Sequence, residues 1–344
     1  MRLNWGIIGA GAIAQAFATA AKTSLTGKLV AVASRDEAKA RTFGQQYGVS
    51  RCYEGYEQLL ADKDVQAVYV CTPHPMHAQW AIAALEAGKH VLCEKPFSLN
   101  LAEARRMIDV AQRERLMIME AFMYRCHPQT AKVVELLREK VLGEVRAIGS
   151  TFSFYVPFNA QSRLYSNELA GGGILDVGAY AVSYARLIAG VALGGEFADP
   201  LDVKGVGHIG QTGVDEWAAG VLRFPGDIVA QVACGVGVSQ ENVLRVYGTQ
   251  GRMLIGNPWM TNRQTAEAGR IIVQKNGLAE QVIDIAAERT SFGYEIDIFG
   301  NAVADGTFTP AHPAMSNQDT LGNMQTLDAW RREVGCKYDR EKAE

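Results

Sequence analysis

Two stretches of this chain place reactive residue types where side chains of that kind seldom stand without a task. In "GKHVLCEKPFS" (88–98), an apolar run at 90–93 is followed at once by a carboxylate, an ammonium and a ring-locked residue: Glu94, Lys95 and Pro96. Lysine is strongly hydrated and rarely tolerated beside an interior. Pro96 biases Lys95 toward an extended backbone, which limits where the ammonium points. A partly desolvated lysine held in this way can trade protons or polarise a carbonyl. The competing reading is a surface salt bridge, and the position and backbone restraint favour chemistry. In "GGGILDVGAYAVSYARLIAG" (171–190), Asp176, Tyr180 and Ser183 follow one another at helical spacing among apolar and small residues. That spacing predicts one polar face presented to a ligand or a hydrogen-bond network. A phenol, with an ordinary pKa of about 10, is a poor base alone, but a neighbouring ammonium stabilises the phenolate. Were the fold to bring Lys95 beside Tyr180, the hydroxyl would come closer to useful acidity, and Asp176 could orient either partner or hold a substrate hydroxyl.

The elements that must carry these groups can be read in order. Apolar runs predict strands near 5–8, 29–33, 67–71, 90–93 and 116–119, separated by helical stretches at 12–23, 36–47, 77–87 and 101–113. Gly88 closes one helix, and Asn100 with Glu103 forms a capping signal for the next. Continuous apolar strands joined by helices imply an α/β fold with a doubly wound parallel sheet covered on both faces. After residue 122 the texture changes: 144–156, 218–238 and 242–256 read as strands with glycine-containing turns, which favours an antiparallel sheet. The helix at 171–190 interrupts them, and further helices are expected near 294–304 and 320–332. The reading is a dinucleotide-binding Rossmann-type domain over 1–122 and an α+β domain over 123–344, to which the resemblance described below assigns substrate binding and oligomerisation.

The dinucleotide comes from "WGIIGAGAIAQAF", which gives Gly9-x-Gly11-x-x-Ala14 between the first strand and first helix. Gly9 permits the tight turn, Gly11 lets the backbone approach a pyrophosphate, and Ala12 and Ile13 open the helix whose N–H groups meet it. The motif alone is weak, but its place at the head of a long βαβ series favours a dinucleotide. The second strand ends in Ser34, Arg35 and Asp36 rather than in the acidic residue that accepts from an NAD ribose. Ser34 and Arg35 suit the 2′-phosphate of NADP, with NAD open; alternatively Ser34 caps the next helix and Arg35 is merely solvated. Thr72, Pro73 and His74 would line the carboxyl edge of the sheet, where ligands of such folds bind. His77 is either a cofactor contact there or a solvated first-turn residue. Glu94 and Lys95 belong to the same edge.

Composition sets the limits. The chain has 344 residues, 48% hydrophobic and 21% charged, with a net charge of -3 and a pI near 6.1. That balance argues against nucleic acid or an anionic membrane as the main partner. No apolar run approaches the roughly 18 residues of a membrane span, and the N-terminus leads straight into a strand, so a cytoplasmic protein is expected. Six scattered cysteines suggest neither a metal cluster nor a disulfide framework, and no metal is expected.

Taken together, Gly9-x-Gly11, "AGKHVLCEKP" and "GGGILDVGAY" resemble the glucose–fructose oxidoreductase / inositol dehydrogenase (Gfo/Idh/MocA) family over nearly the whole chain. The resemblance implies an open, mainly antiparallel second sheet, one face of which forms a subunit interface, hence a homodimer or homotetramer. It implies NAD(P)-dependent oxidation or reduction at a carbinol or carbonyl of a sugar, polyol or diol. Many members carry histidine where this chain has Tyr180, which places it with the branch resembling dimeric dihydrodiol dehydrogenase and D-xylose dehydrogenase. Lys95, Tyr180 and Asp176 then become the catalytic candidates, with Tyr124, Arg125 and Arg163 as further substrate contacts. Two rivals stand beside this reading: a trans-dihydrodiol dehydrogenase, and a non-catalytic NAD(P)-sensing regulator that would need neither Lys95 nor Tyr180.

Overall fold

The computed structural model describes residues 2–261, 263 and 268–342. Strands β1 (Leu3–Ile8), β2 (Gly27–Ser34), β3 (Arg51–Glu54), β4 (Ala67–Val70), β5 (His90–Glu94) and β6 (Ile118–Ala121) form a parallel sheet in the order β3-β2-β1-β4-β5-β6. The helices among them are α1 (Ala12–Ala21), α2 (Glu37–Tyr47), α3 (Tyr56–Ala61), α4 (His77–Glu86) and α5 (Leu101–Glu114). β4 and β6 are buried along their whole length, as strands covered on both faces must be. The strand order reverses between β1 and β4, and that switch point opens a crevice at the carboxyl ends of the strands. β3 was not foreseen because this edge strand, "RCYE", is only half-buried and carries no apolar run. Asn100 caps α5 as expected, accepting from the Glu103 N–H at 3.0 Å. At α2 the cap is Asp36, which accepts from the Lys39 N–H at 3.1 Å, rather than Ser34.

The second half begins with α6 (Pro128–Arg138) and β7 (Val145–Ser153), followed by a π-helical turn, Ile174–Gly178, that runs into α7 (Ala179–Ala192). Then come β8 (Asp202–Ile209), β9 (Asp215–Phe224), β10 (Ile228–Gly235), β11 (Val243–Gly248), β12 (Gly251–Gly256), β13 (Gly269–Lys275) and β14 (Gln281–Ile285), and helices α8 (Ser291–Ala304) and α9 (Asn317–Val334). Eight strands form the open sheet β14-β13-β12-β11-β7-β10-β9-β8. Only β7 and β10 pair in parallel, so the mainly antiparallel sheet is as expected. α7 and α9 cover one face. The other is bare, with Val206, Val221, Val229 and Tyr247 exposed around a cavity of about 780 Å³.

One finding corrects the sequence reading, and a second adds a contact between the two halves. Residues 174–192 do reach the length and mean hydropathy (1.3) of a membrane span, contrary to expectation. The whole stretch is buried inside the protein, and its apolar character serves the core. Secondly, α8 returns to the first sheet: the Phe299 ring packs tilted against Trp5 with centroids 4.9 Å apart, and Asp297 Oδ1 accepts from Ser24 Oγ at 2.6 Å. A cut between residues 122 and 123 therefore leaves part of the first sheet's cover in the second half.

Candidate active site

At the crevice the two sheets enclose a cavity of about 290 Å³. Ala12 and Ile13 of α1 line it, with Cys71, Thr72, His74 and His77 after β4 and Glu94 and Lys95 at the end of β5. From the second half come Phe152, Phe154, Arg163, Asp176, Val177, Tyr180 and Arg263. Thus Lys95, Asp176 and Tyr180, some 80 residues apart in sequence, share one space. The Lys95 ammonium donates to the Asp176 backbone carbonyl at 2.7 Å and to its Oδ1 at 3.3 Å, and Arg163 donates to the same Oδ1 at 3.1 Å. Burial alone would raise the Asp176 carboxyl, but chiefly the Lys95 and then the Arg163 charges hold it well below the usual carboxylate range. Asp176 is therefore a fixed anion.

Tyr180 is placed differently from the expectation. Lys95 Nζ sits over the face of its ring, 5.1 Å from the centroid, and the hydroxyl lies 3.7 Å from Met123 Sδ. Burial, and next the Glu94 carboxyl, push the phenol well above its ordinary value, so it is a neutral acid rather than a ready phenolate. Glu94 accepts from the Tyr69 hydroxyl and, at 3.2 Å, from the Lys95 N–H; burial raises its own carboxyl.

Both histidines are neutral for the same reason. Burial lowers His74 to about 3 and His77 to about 4. His74 Nδ1 lies 3.2 Å from the Ala170 carbonyl, which can only accept, so that nitrogen carries the proton. Its Nε2, 4.0 Å from Asp176 Oδ1, is left as an acceptor. His77 stands between the carbonyls of Pro96 (2.8 Å) and Thr72 (2.9 Å) and, being neutral, donates its single N–H to one of them.

Other expected residues stand elsewhere. Tyr124 and Arg125 do not line the cavity; they lie behind it. Tyr124 donates to Ser183 Oγ at 2.9 Å, and the fully buried Arg125 donates to Ser183 Oγ at 2.9 Å and Asp319 Oδ2 at 2.5 Å. Ser183 faces this network and not the cavity. Gly9, Gly11, Pro73, Ser34 and Arg35 lie outside the cavity: the glycines in the turn after β1, Pro73 in the loop after β4, and Ser34 and the exposed Arg35 at the end of β2. Cys71, Phe152, Phe154, Val177 and Arg263 were not anticipated. The two phenylalanines alternate about the end of β7, a period-two signal that an inward face could have suggested. Arg263 offers no pattern of that kind.

The geometry fits a dinucleotide. Gly9 has φ +105, and a Cβ there would stand 2.9 Å from the Cys71 carbonyl oxygen; at Gly11 a Cβ would meet only open space. α1 has no side-chain cap, which leaves its first N–H groups free to meet an anion. Thr72 Oγ1 is buried with no hydrogen-bond partner among the described residues. A glycine turn at a switch point, closed over by a second sheet that brings polar groups to the same crevice, is the construction of a dinucleotide-dependent oxidoreductase.

Comparison with known proteins narrows the class. The chain belongs to the Gfo/Idh/MocA oxidoreductase family: residues 3–122 match the family's NAD-binding Rossmann fold and residues 130–254 its C-terminal domain. It is 34% identical to D-xylose 1-dehydrogenase (NADP(+)) 2 of Haloferax volcanii, over 95% of this chain and 96% of that enzyme. It is 34% identical to the trans-1,2-dihydrobenzene-1,2-diol dehydrogenase of Mus musculus, over 75% of this chain and 76% of that enzyme. Among solved structures it resembles a 3-ketoreductase from Actinomadura kijaniata in complex with NADP and TDP-benzene, with TM-score 0.84 and 28% identity over 97% of this chain and 98% of that one.

Proposed function

We propose that this oxidoreductase interconverts a carbinol of a sugar or polyol and its carbonyl with NADP, and that Lys95 and Tyr180 act on the substrate oxygen. The observation that carries the reading is the single cavity shared by Lys95, Asp176 and Tyr180 with Ala12 and Ile13 of the glycine turn. When bound, the nicotinamide gives or takes the hydride. Lys95 has three N–H groups and uses them on two acceptors of Asp176, so one is left for a substrate oxygen and its developing negative charge. Tyr180, kept neutral and held among the described residues by a weak sulfur acceptor, donates its proton to that oxygen in the reductive direction. Asp176 fixes Lys95 and Arg163, and with His74 Nε2 it accepts from neighbouring hydroxyls. Phe152 and Phe154 favour a second reading within the same chemistry, an aromatic trans-diol.

NADP is the preferred coenzyme. Asp36, the one carboxylate following β2 at once, is engaged as the α2 cap, leaving Ser34 and the cationic Arg35 for a 2′-phosphate. The Haloferax relative and the Actinomadura reductase are both paired with NADP in their descriptions. The bare sheet face, with Val206, Val221, Val229 and Tyr247, suits a second copy of the chain and hence a homodimer or homotetramer. Six free thiols fit a reducing, cytoplasmic compartment.

The test mixes purified protein with NADPH or NADP and a panel of aldoses, ketoses, polyols and aromatic trans-diols, following nicotinamide absorbance. Turnover of a sugar or polyol supports the reading, and turnover of the aromatic diols alone selects the second. NADPH binding without turnover of any of them would favour a nucleotide sensor.

A further inference from the structure

Asp176 sits in the π-helical turn that opens the site helix, and that turn is held from outside the cavity. Its first residue, Ile174, donates its N–H to Asp215 Oδ2 at 2.6 Å. Asp215 begins β9 and is fully buried, with the Cys336 thiol against its carboxyl. The preceding glycines are shaped for this contact. Gly172 has φ +105, and a Cβ there would come within 2.3 Å of Asp215 Oδ1. A Cβ at Gly171 would lie 2.5 Å from the Leu164 carbonyl oxygen. Only a chain without side chains passes between the 163–164 backbone and Asp215.

The C-terminal tail closes the same turn. The buried Tyr338 donates to the Gly171 carbonyl at 2.8 Å, and Arg331 lies over its ring at 4.8 Å. Asn167 ties the loop to the tail twice, donating to the Lys337 carbonyl at 3.0 Å and accepting from the Asp339 N–H at 2.8 Å. On the side facing the first sheet, His74 donates to the Ala170 carbonyl.

We infer that Asp215 and Tyr338 are positioning residues of this enzyme: they clamp the Ala170–Ile174 turn from β9 and the C-terminal tail, and so fix Asp176 against Lys95. Neither touches the cavity. Asp215 acts by accepting from one backbone N–H, and Tyr338 by donating to one backbone carbonyl. The inference rests on the catalytic reading above for its kinetic consequence but not for its structural one, so the test has two readouts. The first is hydrogen exchange of amides 172–178, which needs no substrate. The second is the split between kcat and the KM for NADP on whichever substrate is turned over.

Asp215→Ala and Tyr338→Phe should speed exchange at 172–178 while leaving α1 (12–21) unchanged. They should lower kcat by about tenfold or more, a displaced group near 1 Å being able to cost about a hundredfold, with the KM for NADP held. Asp215→Asn keeps a carbonyl acceptor for Ile174 and should restore both readouts to near wild type. If Asp215→Ala does not fold, Tyr338→Phe and Asp215→Asn still decide. Wild-type exchange at 172–178 in Tyr338→Phe overturns the inference, as does an Asp215→Asn protein whose exchange is as fast as or faster than that of Tyr338→Phe. Should no substrate be turned over at all, the exchange result stands alone and the failure belongs to the catalytic reading.

Discussion

Lys95→Met removes one charge and nearly no volume, and the structure sets what should follow. The ammonium lies 3.3 Å from Asp176 Oδ1, a gross attraction of about 5 kcal/mol at an effective dielectric of about 20. Desolvation opposes most of that, and Arg163 at 3.1 Å stays to neutralise the carboxylate. The net loss of stability should be about 2 kcal/mol, a fall in Tm of roughly 4–8 °C for a domain of this size. The kinetic loss should be larger. Among the described residues Lys95 is the one cation that both bonds Asp176 and lies over Tyr180, so its free N–H is the donor placed for a developing oxyanion. Losing one such donor costs about a hundred- to a thousandfold in kcat, or about 3–4 kcal/mol. The assay is steady-state kinetics on the substrate found in the panel, with cofactor affinity by fluorescence titration and Tm by calorimetry. Turnover of Lys95→Met within about threefold of wild type would refute the assignment, since no charge stabilisation of that magnitude could then come from this residue.

Three further outcomes are expected. Tyr180→Phe should lower kcat by about a hundredfold with little change in NADP affinity, checked by the same titration, since a neutral acid of that kind contributes about that much. Arg35→Ala should raise the KM for NADP by about tenfold while leaving that for NAD nearly unchanged, because one charge-assisted contact to a phosphate is removed. Glu120, buried behind the Lys95 turn, accepts from the Phe97 N–H at 3.1 Å and is raised by burial to about 8. Its folded value lies above the unfolded one, so the native state holds the proton more tightly, and stability falls as pH rises from about 4.5 toward 8. Glu120→Gln should flatten that decline and raise Tm at pH 8 more than at pH 5, read by thermal melts across the window.

What could be read from the residues alone follows from the range of each interaction. The Rossmann half was legible because every buried parallel strand announces itself as a continuous apolar run, and Gly9 and Gly11 mark the one turn where backbone must approach a ligand. β3 escaped because an edge strand needs no such run. The Lys95 motif and the Asp176–Tyr180 helix were legible as odd polar residues in apolar settings, and the fold brings both to one cavity. Their orientation was not legible. Whether an ammonium meets the edge or the face of a phenol is decided by packing: here Phe122, Phe152 and Trp259 surround the Tyr180 ring and turn its hydroxyl toward Met123. The same ambiguity misplaced Tyr124 and Arg125. Both sit in a polar-looking stretch after β6, yet their partners, Ser183 and Asp319, lie about 60 and 190 residues away, and no local pattern announces a buried ion pair across such a distance. A buried arginine and an active-site arginine are written with the same letter. What separates Arg125 from Arg163 is that Asp319 and Ser183 already satisfy the first, whereas the second reaches its one carboxylate from a half-exposed position at the cavity. A site is therefore better recognised by polar groups that the fold leaves with capacity to spare than by polar groups as such, and on that criterion Lys95, Arg163, His74 Nε2, Thr72 Oγ1 and the Tyr180 hydroxyl are open to a substrate or coenzyme.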